Sequence, residues 1–251
     1  MGGGVKNILI TGGSRGIGRA AAIQAGRRGW SVGINYAGNE AAAHDTAKAV
    51  QAASGKAVVI KGDIAREADV IAMFDAVEKA FGKLDGFVNN AGIAAPNAAL
   101  ADMPLERLKR IFDVNVLGAT LCAREAVRRM AKSRGGKGGS IVNISSVAAR
   151  LGAPNTFVDY AASKGAIDSL TIGLSKEVGP EGIRVNAIRP GVIETEIHAS
   201  AGMPDRARQI GAGAPLGRAG TAEEVAEAIV WLLDDASSYV SGAILDVSGG
   251  R

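Results

Sequence analysis

The chain has little of what stabilises secreted, membrane-bound or metal-binding proteins. Its 251 residues include one cysteine, Cys122, so no internal disulfide can form and a reducing compartment is expected. The two histidines, His44 and His198, belong to no cluster with ligand spacing, which argues against a metal site. No apolar run is long enough to span a bilayer, and the N-terminal segment lacks a signal-peptide pattern. These absences predict a soluble, cytoplasmic protein.

An excess of charge of one sign is also lacking, since 29 basic residues face 25 acidic ones. The densest basic run extends from Arg124 to Lys137, and no aromatic residue interrupts it. Nucleic-acid sites commonly combine basic and aromatic side chains. We therefore interpret the run as a solvated helix face that leads into a loop, with nucleic-acid binding as the weaker alternative.

Hydrophobic residues make up 47% of the chain, which is enough for a large core, and a single domain over residues 1–251 is expected. Short apolar, β-branched runs alternate with helical patterns, as is typical of a parallel sheet with helices on both faces. The predicted strands are 5–11, 31–36, 56–62, 84–89, 139–145, 182–189 and 242–247. The predicted helices are 16–28, 38–54, 66–82, 103–113, 114–133, 158–179 and 221–234.

A glycine-rich loop over residues 11–18 joins the first predicted strand to the first predicted helix. Open α/β sheets bind ligands at this position, and the amino end of a helix attracts anions. Gly12 would allow the tight turn, Gly16 the approach of a pyrophosphate, and Gly18 the packing of helix on strand. The spacing Gly-xxx-Gly-x-Gly departs from the common Gly-x-Gly-xx-Gly. In this context the loop predicts dinucleotide binding, with an ordinary tight turn as the alternative.

Tyr160 and Lys164 stand four residues apart within a predicted helix. Side chains at that spacing share one face, with Cβ atoms about 5–6 Å apart. An ammonium beside the phenol would lower its pKa from about 10 and make it usable for acid–base chemistry near neutral pH. Such a pair also occurs by chance on many helices, so its meaning depends on what the fold brings to it.

Five motifs follow one another along the chain: the loop 11–18, Asn-Asn-Ala-Gly at 89–92, Ser146, the Tyr160 and Lys164 pair, and Pro-Gly at 190–191. In this order and at these spacings they resemble the classical short-chain dehydrogenase/reductase family. The resemblance spans nearly the whole chain. Within the family, the sequence is most similar to the ketoacyl-carrier-protein reductase and glucose dehydrogenase type. It implies a Rossmann-type, doubly wound parallel sheet of about seven strands, and reversible hydride transfer between a nicotinamide cofactor and a carbonyl or secondary alcohol.

The same resemblance implies a catalytic set of Asn115, Ser146, Tyr160 and Lys164. Tyr160 would exchange a proton with the substrate oxygen while Ser146 hydrogen-bonds that oxygen. Lys164 would lower the tyrosine pKa and bind the nicotinamide ribose, and Asn115 would hold a water on the proton path. Two alternatives stay open: Ser145 could replace Ser146, and Asn115 could simply bond to a neighbouring backbone.

Cofactor contacts are implied along the carboxyl edge of the sheet. Asp63 would contact the adenine, although it could instead cap the following helix, and the turn 89–92 could be purely structural. The implied contacts are Gly12, Ser14, Arg15, Gly16, Ile17, Gly18, Asn35, Tyr36, Asp63, Ile64, Asn90, Ala91, Gly92, Tyr160, Lys164, Pro190, Gly191, Ile193 and Thr195.

Charge at the end of the second strand bears on which cofactor is used. A carboxylate there holds the 2′-hydroxyl of NAD, whereas the 2′-phosphate of NADP needs a cation. Asn35 and Tyr36 occupy this place, and Arg15 lies in the loop. Both observations favour NADP(H) over NAD(H), with a solvent-facing Arg15 as the alternative.

The substrate is left open by the sequence. The expected lining is largely apolar and would suit a ketone or an acyl thioester; it comprises Ile93, Ala94, Ala95, Pro96, Val147, Ala148, Arg150, Phe157, Val192 and His198. An acidic carrier protein could meet Lys132, Arg134 and Lys176, or these could be ordinary surface charges.

Two further segments resemble functional parts of the family. Residues 196–214 are expected to form a mobile lid, and the last strand to pair subunits in a homotetramer. No partner other than a small molecule and further copies of the chain is expected. The rival from a different class is a catalytically silent dinucleotide-binding regulator.

Overall fold

A parallel sheet forms the centre of the fold in the computed structural model, which describes residues 4–196 and 206–251. Its strands are β1 (Asn7–Ile10), β2 (Ser31–Tyr36), β3 (Lys56–Lys61), β4 (Gly86–Asn89), β5 (Gly139–Ile144), β6 (Ile183–Pro190) and β9 (Ile244–Val247). Two short strands between β6 and β9, β7 (Ile193–Glu194) and β8 (Gly220–Thr221), form a separate two-stranded sheet. The order is β3-β2-β1-β4-β5-β6-β9, and every neighbouring pair is parallel. The predicted doubly wound α/β fold is confirmed.

Helices cover both faces of this sheet. They are α1 (Gly16–Arg27), α2 (Glu40–Ala52), α3 (Glu67–Phe81), α4 (Leu105–Phe112), α5 (Ala119–Met130), α6 (Ala148–Leu151), α7 (Val158–Val178), α8 (Arg206–Gly211) and α9 (Ala222–Leu233). One hydrophobic cluster joins α1, α2 and α9 to the sheet, and a second joins α3 and α5 to its other face. The seven long predicted helices correspond to observed helical segments, to within a few residues at each end.

Alternation of side chains within single strands supplies both clusters. In β1, Ile8 and Ile10 belong to the first cluster and Leu9 to the second, and all three are completely buried. Successive strand residues point to opposite faces of a sheet. A strand covered by helices on both faces is therefore apolar throughout, which is why these runs are recognisable in the sequence.

The structure differs from the sequence prediction in two places near the site. The predicted helices 103–113 and 114–133 are joined by a π-helical segment, Asp113–Gly118, rather than by a simple break. A single turn of helix, α6, which is not among the predicted helices, follows Ser146. Neither a change of helical hydrogen bonding nor a four-residue helix alters the periodicity of apolar residues enough to be read from sequence. Of the predicted lid, residues 197–205, with His198, lie outside the described residues.

The basic run on α5 is paired with acids. Arg128 and Arg129 both bind Glu125, at 2.7 and 2.6 Å, and the Glu125 side chain is almost fully buried. Arg124 also binds Glu125 and reaches Glu67 at the start of α3. These contacts lower the pKa of the Glu125 carboxyl, against the opposing effect of its burial. The first part of the run therefore ties α5 to α3, and its charge is largely neutralised.

None of the helices in residues 4–196 and 206–251 is long and apolar enough to cross a bilayer.

Candidate active site

The carboxyl ends of six neighbouring strands, β3-β2-β1-β4-β5-β6, open into one cavity of about 720 Å³. Strand order reverses between β1 and β4, because the chain winds outward from these two strands in both directions. Ligands bind at such a switch point in open α/β sheets. Every predicted catalytic or cofactor-contacting residue except Gly18 and Asn115 lines this cavity.

The glycine loop at one end of the cavity has the backbone shape that its residues predict. Gly12 and Gly16 adopt φ values of +63° and +51°, which other residues rarely do. At Gly18 an added Cβ would lie 2.4 Å from the carbonyl oxygen of Gly12 and 2.6 Å from the side chain of Asn90. The backbone at Gly18 is therefore too close to Gly12 to accommodate a side chain, and the amino end of α1 is left open toward the cavity.

Asn90 and Thr11 hold this loop to the end of β4. The Asn90 amide donates to the carbonyl oxygens of Thr11 and Gly12, at 2.9 and 3.2 Å. In return, the backbone N–H groups of Asn90 and Ala91 donate to the Thr11 hydroxyl. The turn 89–92 therefore has the structural role that was its alternative interpretation. Its hydrogen bonds to Thr11 and Gly12 also hold Ala91 and Gly92 at the cavity wall.

Asn35 has a similar supporting position at the end of β2. Its side-chain oxygen accepts from the backbone of Gly12 at 3.1 Å, and its amide donates to Gly62 at 3.0 Å. Only 2% of the residue is exposed. The side chain predicted to contact the cofactor is therefore engaged in joining the glycine loop to the strand ends β2 and β3.

The neighbouring wall combines both signs of charge. Arg15 is exposed at the start of α1 and lines the cavity. Tyr36 is buried, and its hydroxyl hydrogen-bonds Glu40; burial and this carboxylate raise the pKa of the Tyr36 phenol. Across the cavity, Asp63 lies 3.5 Å from Arg110 on α4.

Asp63 also accepts from the backbone N–H of Ala65 at 3.0 Å, which fixes the turn before α3. The N-cap of α3 is Arg66, so Asp63 does not cap this helix. Its carboxylate instead stabilises the turn that precedes the N-cap. Ile64 is buried beside it, with its carbonyl near Gly118 of the π segment.

The opposite end of the cavity brings together Ser146, Tyr160 and Lys164. Ser146 follows β5 and hydrogen-bonds the Tyr160 hydroxyl. The Lys164 ammonium lies 5.6 Å from the centre of the Tyr160 ring and donates to the carbonyl oxygen of Ile144 at 2.7 Å. The two residues that shared a predicted helix face thus do so on α7, beside a serine from another element.

Ser145 is turned away from this cluster. Its hydroxyl donates to the backbone carbonyl of Lys164 at 3.1 Å, and only 2% of the residue is exposed. Of the two serines, only Ser146 reaches the tyrosine. Ser145 instead ties the end of β5 to α7.

The wall between the two ends is formed by residues after β6. Pro190 accepts from Val147 and so joins β6 to the segment after Ser146. Gly191 passes so close to Ser248 that an added Cβ would lie 2.7 Å from its Cα. Ile193 is buried in the small β7–β8 pair, and Thr195 lies beside Gly16, where an added Cβ would be 3.4 Å from its side chain.

Comparison with known proteins agrees with this geometry. A family model described as enoyl-(acyl carrier protein) reductase matches residues 12–251. The chain is 52% identical to the uncharacterised oxidoreductase YgfF of Escherichia coli K12, over 97% of this chain and 98% of that protein. It is 41% identical to an L-rhamnose 1-dehydrogenase of Sphingomonas sp., over 98% and 95%. The chain belongs to the short-chain dehydrogenase/reductase family.

A solved short-chain dehydrogenase/reductase from Mycobacterium marinum has the same fold, with a TM-score of 0.91, 35% identity and coverage of 98% of this chain and 94% of that one. The chain is accordingly an oxidoreductase acting on CH–OH or C=O groups with NAD(P). The glycine cradle fits this cofactor class, since it presents backbone rather than side chains at the amino end of α1.

One electrostatic prediction for this short-chain dehydrogenase/reductase is wrong. Lys164 was expected to lower the pKa of Tyr160, but burial raises the pKa of the Tyr160 phenol to about 12, and only the hydrogen bond with Ser146 opposes this. Burial also lowers the pKa of Lys164 to about 8, opposed by Asp168 one turn later on α7. A low-polarity environment disfavours the charged form of both groups, and the sequence spacing contains no information on burial.

Asn115 shows how the π segment contributes to the family's site. Its side chain both accepts from and donates to the backbone of Ile93, at 2.8 and 2.9 Å, and donates to Ser163 at 3.2 Å. Gly92 lies between Asn115 and Lys164, since a Cβ there would be 3.3 Å from the amide oxygen and 3.5 Å from the ammonium. Asn115 thus hydrogen-bonds a backbone group, which was the alternative interpretation of this residue. Its role in a proton path stays a prediction.

Several residues at this site were not identified from the sequence. Arg110, Leu151 and Arg251 line the cavity, and they come from α4, α6 and the segment after β9. None of the three belongs to a motif with a recognisable spacing. Ile210, from the part of the predicted lid that the structure describes, also lines the cavity. For Arg251 the glycine pair before it could have indicated a chain reversal near the sheet edge.

Proposed function

We propose that the chain is an NADP(H)-dependent oxidoreductase that reversibly interconverts a carbonyl compound and a secondary alcohol. One observation carries this proposal: Ser146, Tyr160 and Lys164 meet in the cavity whose other end is the glycine cradle of α1. The bound nicotinamide supplies or accepts the hydride. The candidate substrates are 3-oxoacyl thioesters, sugars and other ketones.

Within this proposal Tyr160 gives its proton to the carbonyl oxygen during reduction. The high pKa of its phenol keeps the proton on the oxygen at neutral pH, which is the state that reduction needs. Ser146 donates a hydrogen bond to the same substrate oxygen and stabilises the charge that develops on it. Lys164 holds the nicotinamide ribose, and Asn115 maintains the proton path through a water. A silent regulator is disfavoured because all four side chains are present.

The preference for NADP(H) rests on the end of β2 and the start of α1. Tyr36, not a carboxylate, ends β2, and Arg15 adds a positive charge to the same wall. The negative charge of Glu40, which bonds Tyr36, is the opposing contribution. A 2′-phosphate would gain from charge-assisted hydrogen bonds with a guanidinium, which are about twice as strong as neutral ones.

Arg15→Ala is expected to weaken NADPH binding by about 10- to 100-fold, because a hydrogen bond to a charged group contributes roughly 1.5–3 kcal/mol. NADH binding should change little. Arg19→Ala, which removes an exposed charge one turn further along α1 outside the cavity lining, is the matched control. Fluorescence titration of both cofactors, followed by assays over acetoacetyl thioesters, sugars, steroids and small ketones, measures cofactor choice and substrate class together. Equal losses for both cofactors, or a wild-type preference for NADH, would contradict the assignment.

We further propose that residues 1–251 form one domain that assembles into a homotetramer in the cytoplasm. Support for assembly comes from exposed apolar side chains on two surfaces, one with Phe112 and Leu117 and another with Trp231 and Leu245. All four side chains are between 37% and 52% exposed, and contiguous apolar patches on a surface mark interaction sites. Analytical ultracentrifugation tests the assembly.

A further inference from the structure

The segment after β9 returns to the mouth of the cavity. Gly249 and Gly250 reverse its direction with φ values of +64° and +91°. The Gly249 carbonyl accepts from Leu216 at 3.1 Å, and Gly250 packs on Pro215, where an added Cβ would lie at 2.9 Å. Two loops therefore meet, and Arg251 is brought to the wall that lies beyond Gly191.

The backbone of Arg251 is fixed at this wall. Its main-chain oxygen accepts from the guanidinium of Arg150 at 2.6 Å and from the Ser248 hydroxyl at 3.0 Å. Arg150 is itself held by Asp246 of β9, at 3.2 Å. The Arg150 charge is thus balanced within the protein, and its position serves to fix Arg251.

The charge of the Arg251 guanidinium is not neutralised by an acidic partner in the part of the chain that the structure describes. Arg251 is a lining residue of the cavity, and its side chain makes no hydrogen bond or ion pair with residues 4–196 or 206–251. The three other cations of the lining all have partners: Arg110 pairs with Asp63, Lys164 donates to Ile144, and Arg15 has an interaction of its own. The same lining includes the apolar residues Val147, Leu151 and Ile210.

We propose that Arg251 binds an anionic group of the substrate, so that this oxidoreductase prefers keto acids and hydroxy acids to neutral ketones and alcohols. The inference rests on the proposed function, because it concerns the substrate end of the same cavity. A planar guanidinium on an apolar wall suits a carboxylate, which it binds through two parallel hydrogen bonds. Apolar residues of the same lining would contact the carbon chain that separates the acid from the carbonyl.

The test compares matched substrates in the full-length protein with NADPH. A homologous series of linear methyl ketones is assayed beside the keto acids of the same chain lengths. Wild-type kcat/KM should be about 10- to 100-fold higher for the best acid than for its neutral counterpart, as expected for a hydrogen bond to a charged group. Arg251→Ala should reduce that ratio toward one, chiefly through KM, and Arg251→Lys should restore part of it. Lys79→Ala removes an exposed charge on α3 outside the cavity lining and should leave the ratio unchanged.

Binding of the keto acids, measured by calorimetry in the presence of NADP⁺, gives a readout that needs no turnover. Weaker binding to Arg251→Ala than to wild type supports the inference. Equal ratios and equal binding in wild type and Arg251→Ala overturn it, and they leave the proposed function intact if neutral ketones are reduced. Absence of turnover with every carbonyl compound would instead contradict the proposed function, while the calorimetric comparison would still decide on the anion site.

Discussion

Tyr160→Phe is expected to lower kcat by about a hundredfold to ten-thousandfold, the usual contribution of general acid–base catalysis. The substitution removes only the hydroxyl that the structure places beside Ser146. The aromatic ring near the Lys164 ammonium is kept, so the surrounding packing should hold. Steady-state kinetics with the best carbonyl substrate and NADPH measures the loss.

Cofactor binding separates a catalytic role of Tyr160 from a structural one. Tyr160→Phe should bind NADPH almost as tightly as wild type, because the glycine cradle and the β2 end are unchanged. Tyr239→Phe removes a hydroxyl from a fully exposed tyrosine and should behave as wild type. If Tyr160→Phe keeps full activity, the assignment of the proton donor is wrong.

Gly18→Ala is expected to weaken NADP(H) binding by about 100-fold and to lower the thermal stability. The added methyl group would lie 2.4 Å from the Gly12 carbonyl oxygen and 2.6 Å from the Asn90 amide. Forcing extra atoms into a tightly packed site commonly costs about 1–3 kcal/mol, and here the displacement falls on the pyrophosphate loop itself.

Gly38→Ala is the matched control for this variant. Gly38 also lines the cavity, but an added Cβ would have no atom within 4 Å. Cofactor titration and thermal melting of the two variants should therefore differ strongly. Unchanged binding in Gly18→Ala would show that the loop can move away from the helix, which contradicts its proposed role as a rigid cradle.

The parts of the site that the sequence predicted are those determined by spacing along one element. Residues 11–18 and the Tyr160 and Lys164 pair belong to this class, because a strand-to-helix turn and a helix face fix their geometry. The seven strands were also predictable, since covering both faces with helices makes each strand apolar throughout.

Properties that depend on packing were not predictable in the same way. The pKa of Tyr160 is raised rather than lowered because burial outweighs the hydrogen bond with Ser146, and burial becomes known only once helices are placed on the sheet. The Asn35 side chain supports the glycine loop through partners 23 and 27 residues away. Arg251 reaches the cavity through a chain reversal that packs on Pro215, far from any motif.

The most direct test of the central claim follows the hydride itself. NADPH carrying deuterium at the transferable C4 position is incubated with the panel of carbonyl compounds, and the products are analysed by mass spectrometry. The wild-type protein should give an alcohol with one deuterium on the former carbonyl carbon, and Tyr160→Phe should give almost none. Tight NADPH binding without deuterium transfer to any carbonyl compound would contradict it and favour a dinucleotide-binding regulator.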